Sequence, residues 1–227
     1  MSPVSEAGPR PLAWSVLEVR GVDAEVFLQG QLTQDLTTIA EGAWTLVLAP
    51  DSVVVTTAFV SAVEGGLDLV VPSELAEAAR ARLQRFLLRA ACTLAVRDGA
   101  SGPFATLEEQ IDARWPGPAE FAGSLTPHTF GRSFVAATIS FEKGCFTGQE
   151  LVGRLDARGS SVPWRLVLAS GPDPERIDAI LKSKGPAGPQ AFTSARWRAG
   201  RVEGLGIAHR TLLGAPLDAE VTIDAVE

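Results

Sequence analysis

Hydrophobic positions along the chain change period several times, and each change predicts an element. The stretch LAWSVLEV (12–19) reads as a short strand. After a turn at Gly21, VDAEVFLQGQLTQDL spaces Val22, Val26, Leu32 and Leu36 at roughly helical intervals, predicting a helix weakened in its middle by Gly30. TLVLAP and SVVVTTAFVSAV are β-branched runs on either side of Pro50-Asp51, and Glu64-Gly65-Gly66 turns the second into LDLVV as a hairpin. ELAEAARARLQRFLLRA (74–90) predicts a long helix with Leu75, Ala79, Leu83, Phe86 and Leu87 inward, Ser73 as N-cap, and Glu74 and Glu77 near the positive end of its dipole. The strand CTLAVRD follows, so the first half reads as an α+β unit, an antiparallel sheet with two helices on one side.

From Gly99 to Gly123 the chain is punctuated by Gly and Pro and reads as a connector with a short helical piece at 107–113. Residues 133–141 read as a strand. Beyond Gly159, WRLVLAS, AFTSARW, VEGLGIAHR and AEVTIDAV are short strands that predict a small β-barrel or sandwich. Asp173 to Lys184 is a weak helix signal. Two domains follow, 1–159 as the α+β part and 160–227 as the barrel.

Composition narrows the function classes. In 227 residues with a formal net charge of −7, no broad basic face for nucleic acid is expected. The N-terminus lacks the pattern of a signal peptide and no run of eighteen apolar residues occurs, so the chain reads as a soluble cytoplasmic protein without membrane contact. Two cysteines, Cys92 and Cys145, and two histidines, His128 and His209, make neither a disulfide framework nor a complete metal site. The stripe Arg82, Arg85, Arg89 reads as a solvated helix face. Trp14, Trp44 and Trp164 read as core anchors.

Against that background EKGCFTGQE (142–150) stands out, because it joins one of two cysteines to one of three lysines. Thr147 and Glu150 fit a capping box at the start of a helix whose apolar face is Leu151, Val152 and Leu155. Cys145 would then precede the helix N-terminus with Lys143 two residues back, and both features favour a thiolate. A lone cysteine is ordinarily a small buried hydrophobe, which is the reading for Cys92 in RAACTLAV. Glycine and lysine flanks make Cys145 a different case. Arg154 and Arg158, one turn apart on the same helix, suit either an anionic ligand tail or a solvated face shared with Asp156.

KGCFTGQELVGR resembles the signature of the YgfZ family of folate-binding proteins, relatives of the glycine-cleavage T-protein (aminomethyltransferase). DAEVFLQGQLTQDL, TPHTFG, FTSARW and GLGIAHR resemble other segments of that family. The resemblance implies an aminomethyltransferase-like, folate-binding α+β fold with a C-terminal β-barrel. It also implies a role in assembly or repair of iron–sulfur clusters, supporting cluster-dependent enzymes such as tRNA-modifying ones. By motif position, Cys145 and Lys143 would be the chemically active pair, and Gln29, Gln31, Phe146, Gly148, Gln149, Glu150 and Arg154 the tetrahydrofolate-binding residues. A cluster takes about four ligands, so Cys145 would contribute only to one shared with a partner, a second copy or a small thiol. The expected partners are folate and iron–sulfur assembly or client proteins.

Two departures accompany the resemblance. Phe146 stands where the motif usually has tyrosine, and Asp51-Ser52 replaces a glycine and a basic residue after Pro50. The catalytic Asp of the T-protein has no counterpart in VVPSELAEAARAR, so a folate-dependent one-carbon transferase is the weaker alternative. Another alternative is a cysteine-dependent thiol transferase or hydrolase using Cys145 with an exposed His128 as base.

Overall fold

The computed structural model describes residues 8–159, 161–213 and 219–227. Reading of the N-terminal seven residues lies outside them. The first half runs β1 (Trp14–Arg20), α1 (Ala24–Gln29), β2 (Ala43–Leu48), β3 (Val54–Val63), β4 (Gly66–Pro72), α2 (Ser73–Gln84) and β5 (Thr93–Ala100). Its strands form one antiparallel sheet in the order β2-β3-β4-β1-β5. Period-2 alternation sends Leu17 and Val19 of β1 under the helices, where they join Phe27, Leu28, Val60, Leu69, Val71, Ala79 and Leu83 in one core. Glu18 and Arg20 point to the other face and pair with Arg97 and Asp68.

Four short helices follow, α3 (Leu107–Asp112), α4 (Pro118–Phe121), α5 (Arg132–Thr138) and α6 (Gln149–Ala157). The second half is β6 (Trp164–Gly171), α7 (Pro174–Lys182), β7 (Ala191–Arg198), β8 (Arg201–His209) and β9 (Thr222–Ala225), with strand order β7-β8-β6-β9. Among the described residues these strands make an open antiparallel sheet with α7 laid on it through Ile177 and Leu181. The weak helix signal at 173–184 is a true helix: Asp173 accepts from the Arg176 N–H at 2.7 Å and Pro174 takes the first helical position. No helix among the described residues is long and apolar enough to cross a membrane.

The two halves share a core. Leu46, Leu48, Phe130, Phe134 and Phe146 from the first 159 residues pack with Leu166, Leu205, Ile207 and Val226 from the second. Polar groups cross the same joint: Arg196, buried on β7, reaches Asp112 at 2.5 Å and Glu203 at 2.7 Å. Glu120, also buried, accepts from the Ser194 hydroxyl at 2.6 Å and the Gly117 N–H at 2.7 Å. Burial pushes the Glu120 carboxyl above its ordinary range despite those hydrogen bonds. A carboxyl raised by folding adds stability below the unfolded pKa and loses it as pH rises through the folded value. Glu120→Gln removes the charge and keeps the shape, so its Tm should exceed the parent's by about 2–4 °C at pH 8 and match it near pH 4.

Several sequence expectations are corrected. The first helix ends at Gly30, and its buried side is Ala24, Phe27 and Leu28, whereas Val22 and Val26 face solvent. Ser73 is the first helical residue rather than a cap, its hydroxyl paired with that of Ser15 at 2.8 Å. That helix stops at Gln84, leaving Phe86 exposed, and Arg82 is buried rather than solvated. Residues 132–138 are helical: Phe134, Val135 and Thr138 fall on one side of a turn entered through Gly131, whose φ of 99° is open to glycine.

Candidate functional site

The loop between α5 and α6, residues 139–148, carries the cysteine motif, and Lys143 and Thr147 anchor it from below. Lys143 points inward. Its ammonium donates to the carbonyls of Gln29, Leu32 and Gln34 at 2.6, 2.8 and 2.9 Å, using all three of its donors. The residue is 8% exposed. Burial pushes its pKa down to about 8, with the Asp35 carboxylate pulling the other way. Its ring neighbour is Phe146, whose centroid lies 5.5 Å from the ammonium and which is itself buried in the shared core. Phenylalanine is at home in that apolar position.

The segment gripped by Lys143 is shaped by Gln29. The Gln29 amide donates to Asp35 at 2.9 Å and its carbonyl oxygen accepts from the Leu36 N–H at 2.9 Å. Hydrogen bonds from the Thr37 hydroxyl and from Gln29 hold the Asp35 carboxyl below its usual range. Gln31 makes the next tie. Its side-chain oxygen accepts from Arg82 at 3.0 Å and from the Thr147 hydroxyl at 3.2 Å, while the Thr147 N–H donates to the Gly30 carbonyl at 3.1 Å. Arg82 also donates to the Leu48 carbonyl at 2.6 Å. Sequence pattern missed Arg82; the signal lay in its place between the inward positions Ala79 and Leu83.

The capping box is replaced by a different start to α6. Thr147 is committed to Gln31, Glu150 pairs with Arg154 on the exposed helix face, and the N-cap is Gly148 at φ 84°. A Cβ on Gly148 would lie 2.9 Å from the Ala49 carbonyl oxygen, so the helix start is pressed against the end of β2. The turn that receives it is 49–52, closed by the Ser52 N–H donating to Ala49 at 2.9 Å with Ser52 at φ 69°. The Ser52 hydroxyl then donates to the Gly148 carbonyl at 2.6 Å. Ser52, which stands where the resemblance leads to a basic residue, takes the left-handed position of the turn and adds a bond to the motif loop.

Cys145 is the exception to all this anchoring. It is exposed, between Lys143 and Phe146, which are both buried, and Gly144 beside it has open space around it. Gln149, Glu150 and Arg154 lie on the first turns of α6. Cys92 is part-buried against the first core, and burial pushes its thiol up. Among the described residues no three His, Cys, Asp or Glu side chains are grouped to hold a metal.

His128 corrects an expectation. It is buried rather than exposed, with no hydrogen-bond partner on either ring nitrogen, and burial pushes its pKa below the ordinary value although Asp156 opposes this. It therefore makes no hydrogen bond to Cys145.

A second feature lies at the start of β2. Trp44 packs on Trp115 with ring centroids 4.4 Å apart and on Phe104 at 5.9 Å, and Trp115 continues to Phe134 at 5.0 Å. The Trp115 indole N–H is buried without an acceptor. Trp44 and Leu48 are four residues apart on β2, so they share a face, and one strand runs from this aromatic wall to the motif loop.

No family model matches the chain, and no curated protein matches it in sequence. In structure it is similar to a glycine cleavage system aminomethyltransferase T from Bartonella henselae, with a TM-score of 0.56 and 13% identity over 96% of this chain and 86% of that one. The fold is aminomethyltransferase-like. At that identity the likeness establishes the arrangement of elements alone.

Proposed function

We propose that this chain is a tetrahydrofolate-binding protein that presents Cys145 as a working thiol to iron–sulfur proteins, in the manner of the YgfZ family its motif resembles. One observation carries the reading: Lys143 and Phe146 are buried as anchors while Cys145 between them is exposed, so the loop is a fixed mount for one outward thiol. An exposed thiol on a rigid mount suits brief contact with a partner.

Tetrahydrofolate suits the residues present. The wall of Trp44, Phe104, Trp115 and Phe134 is suited to a flat heteroaromatic ring, and the orphaned indole N–H of Trp115 has a donor to give to a ring acceptor. The free amide of Gln31, with Gln149, Glu150 and Arg154, would meet the polar part. Gln29 acts by shaping the 29–36 segment. Bound folate would supply one-carbon chemistry, but the chain lacks the carboxylate that the T-protein uses for transfer. A resident iron–sulfur cluster does not suit the donor set, because among the described residues Cys145 belongs to no group of three or more metal-ligating side chains. The cluster therefore belongs to the partner.

Titration with tetrahydrofolate, followed by tryptophan fluorescence and calorimetry, tests the ligand. Saturable binding is expected for the parent and equally for Cys145→Ala, with Trp115→Phe about tenfold weaker. No binding by the parent removes the folate half. The thiol half is tested separately in cells lacking this protein: Cys92→Ala should restore cluster-dependent tRNA modification and Cys145→Ala should not. Restoration by both would end the thiol assignment.

A further inference from the structure

Four of the seven large apolar side chains that are exposed among the described residues, Val22, Val26, Val63 and Leu88, belong to segments that meet at one end of the five-stranded sheet. Val22 and Leu88 are each 88% exposed. Topology brings them together. The end of β1 pairs Arg20 with Gly66 on one side and with Thr93 on the other. Beyond it, the Gly21 N–H donates to the Gly65 carbonyl at 3.0 Å, and Asp23 accepts from the Ala91 N–H at 2.6 Å. The β3–β4 hairpin therefore flanks the start of α1 on one side, and the 85–91 loop flanks it on the other.

The two flanks differ in charge and shape. The loop side carries Leu88 as a projecting knob between Arg85 and Arg89, both exposed and without an ion pair among the described residues. The hairpin side carries Glu25 and Glu64, also exposed and unpaired among those residues. Here a cavity of about 430 Å³ opens between α1, residues 36–39 and the hairpin, lined by Val22, Glu25, Leu36, Ile39, Val63 and Leu67 among others. One patch thus holds a cationic apolar knob and an acidic socket side by side. A foreign partner of either charge would be repelled by half of it, whereas a second copy turned through a two-fold axis matches both halves.

We propose that this end of the sheet is a dimer interface between two copies of the chain. Leu88 of each copy enters the cavity of the other, and Arg85 and Arg89 face Glu25 and Glu64 across the axis. Because knob and socket lie in the same patch, the contact closes at two and does not propagate. The apolar residues supply most of the affinity, and the charges set orientation and make association salt-sensitive.

Sedimentation equilibrium of the full chain at up to about 100 μM tests this, with circular dichroism to establish that each variant is folded. The parent should be a dimer that weakens with salt. Leu88→Glu, at a position exposed in the monomer, should raise the dissociation constant at least about tenfold. Arg85→Glu with Arg89→Glu should be monomeric, and so should Glu25→Arg with Glu64→Arg. Mixed in equal amounts, these two charge-reversed proteins should form a heterodimer, since each now supplies the sign the other lacks. A monomeric parent, a dimer indifferent to Leu88→Glu, failure of the mixture to associate, or a ladder of higher masses would overturn the proposal.

Discussion

Lys143→Met is expected to destabilise the protein by about 3 kcal/mol and to loosen the segment that carries Cys145. Methionine fills much of the volume but donates nothing, so the carbonyls of Gln29, Leu32 and Gln34 lose their shared donor inside a part-buried site. An unpaired buried carbonyl costs roughly 1–3 kcal/mol, and partial rehydration of the opened loop recovers some of the sum. Urea unfolding measures the loss. Hydrogen exchange should place the new mobility at residues 29–34 and 143–148 while the strands stay protected.

The same lysine predicts an alkaline signature. Its folded pKa of about 8 lies below that of an unfolded lysine, so at pH values between the two the unfolded chain holds a proton that the folded chain has released. Stability therefore rises with pH across that window, by up to about 3 kcal/mol from this group, and the penalty of burying the charge is fully present below pH 8. Cys92 acts in the opposite sense, since a thiol raised by folding loses its contribution as pH increases. The comparison is best made in a Cys92→Ala background, where the parent should gain stability between about pH 8 and 10.5 and Lys143→Met should not. With no tyrosine and only two other lysines in the chain, few other groups titrate there.

Gly148→Ala is expected to cost about 2–4 kcal/mol. At φ 84° a side chain is strained by roughly 1–2 kcal/mol before any contact. The added methyl would also lie 2.9 Å from the Ala49 carbonyl oxygen and 3.1 Å from Leu48, on backbone held by Arg82 and Ser52 and unable to yield cheaply. Gly144→Ala, with nothing within 4 Å, should cost under about 1 kcal/mol. Thermal unfolding of the pair separates the two glycines. Equal losses would show that the β2 end gives way to the motif loop.

The elements read best from sequence were those whose local chemistry agreed with their packing. The β-branched runs of β3 and the Gly65-Gly66 hairpin are stable in the form their pattern predicts. Residues 133–141 misled because Phe134, Val135 and Ile139 favour strands locally, while their burial against Phe130 and Trp115 is met by a helical turn. Val22 and Val26 misled for the opposite reason: they fit a helical apolar stripe, yet Phe27 and Leu28 hold the sheet side of so short a helix. At the site, the motif marked which loop matters, and Cys145 is exposed on it. What no local pattern carried was the three-dimensional use of the other residues, since Lys143 and Gln31 act through atoms more than a hundred and about fifty positions away, respectively.

Because Cys145 stands outside the hydrogen-bond network that holds the motif loop, the thiol can be replaced or derivatised without disturbing the fold. A maleimide dye should attach there in preference to the part-buried Cys92. Trp44 on β2 and Trp115 packed against it then become built-in energy donors to a single acceptor, and the chain turns into its own optical ruler for motion between the aromatic wall and the motif loop.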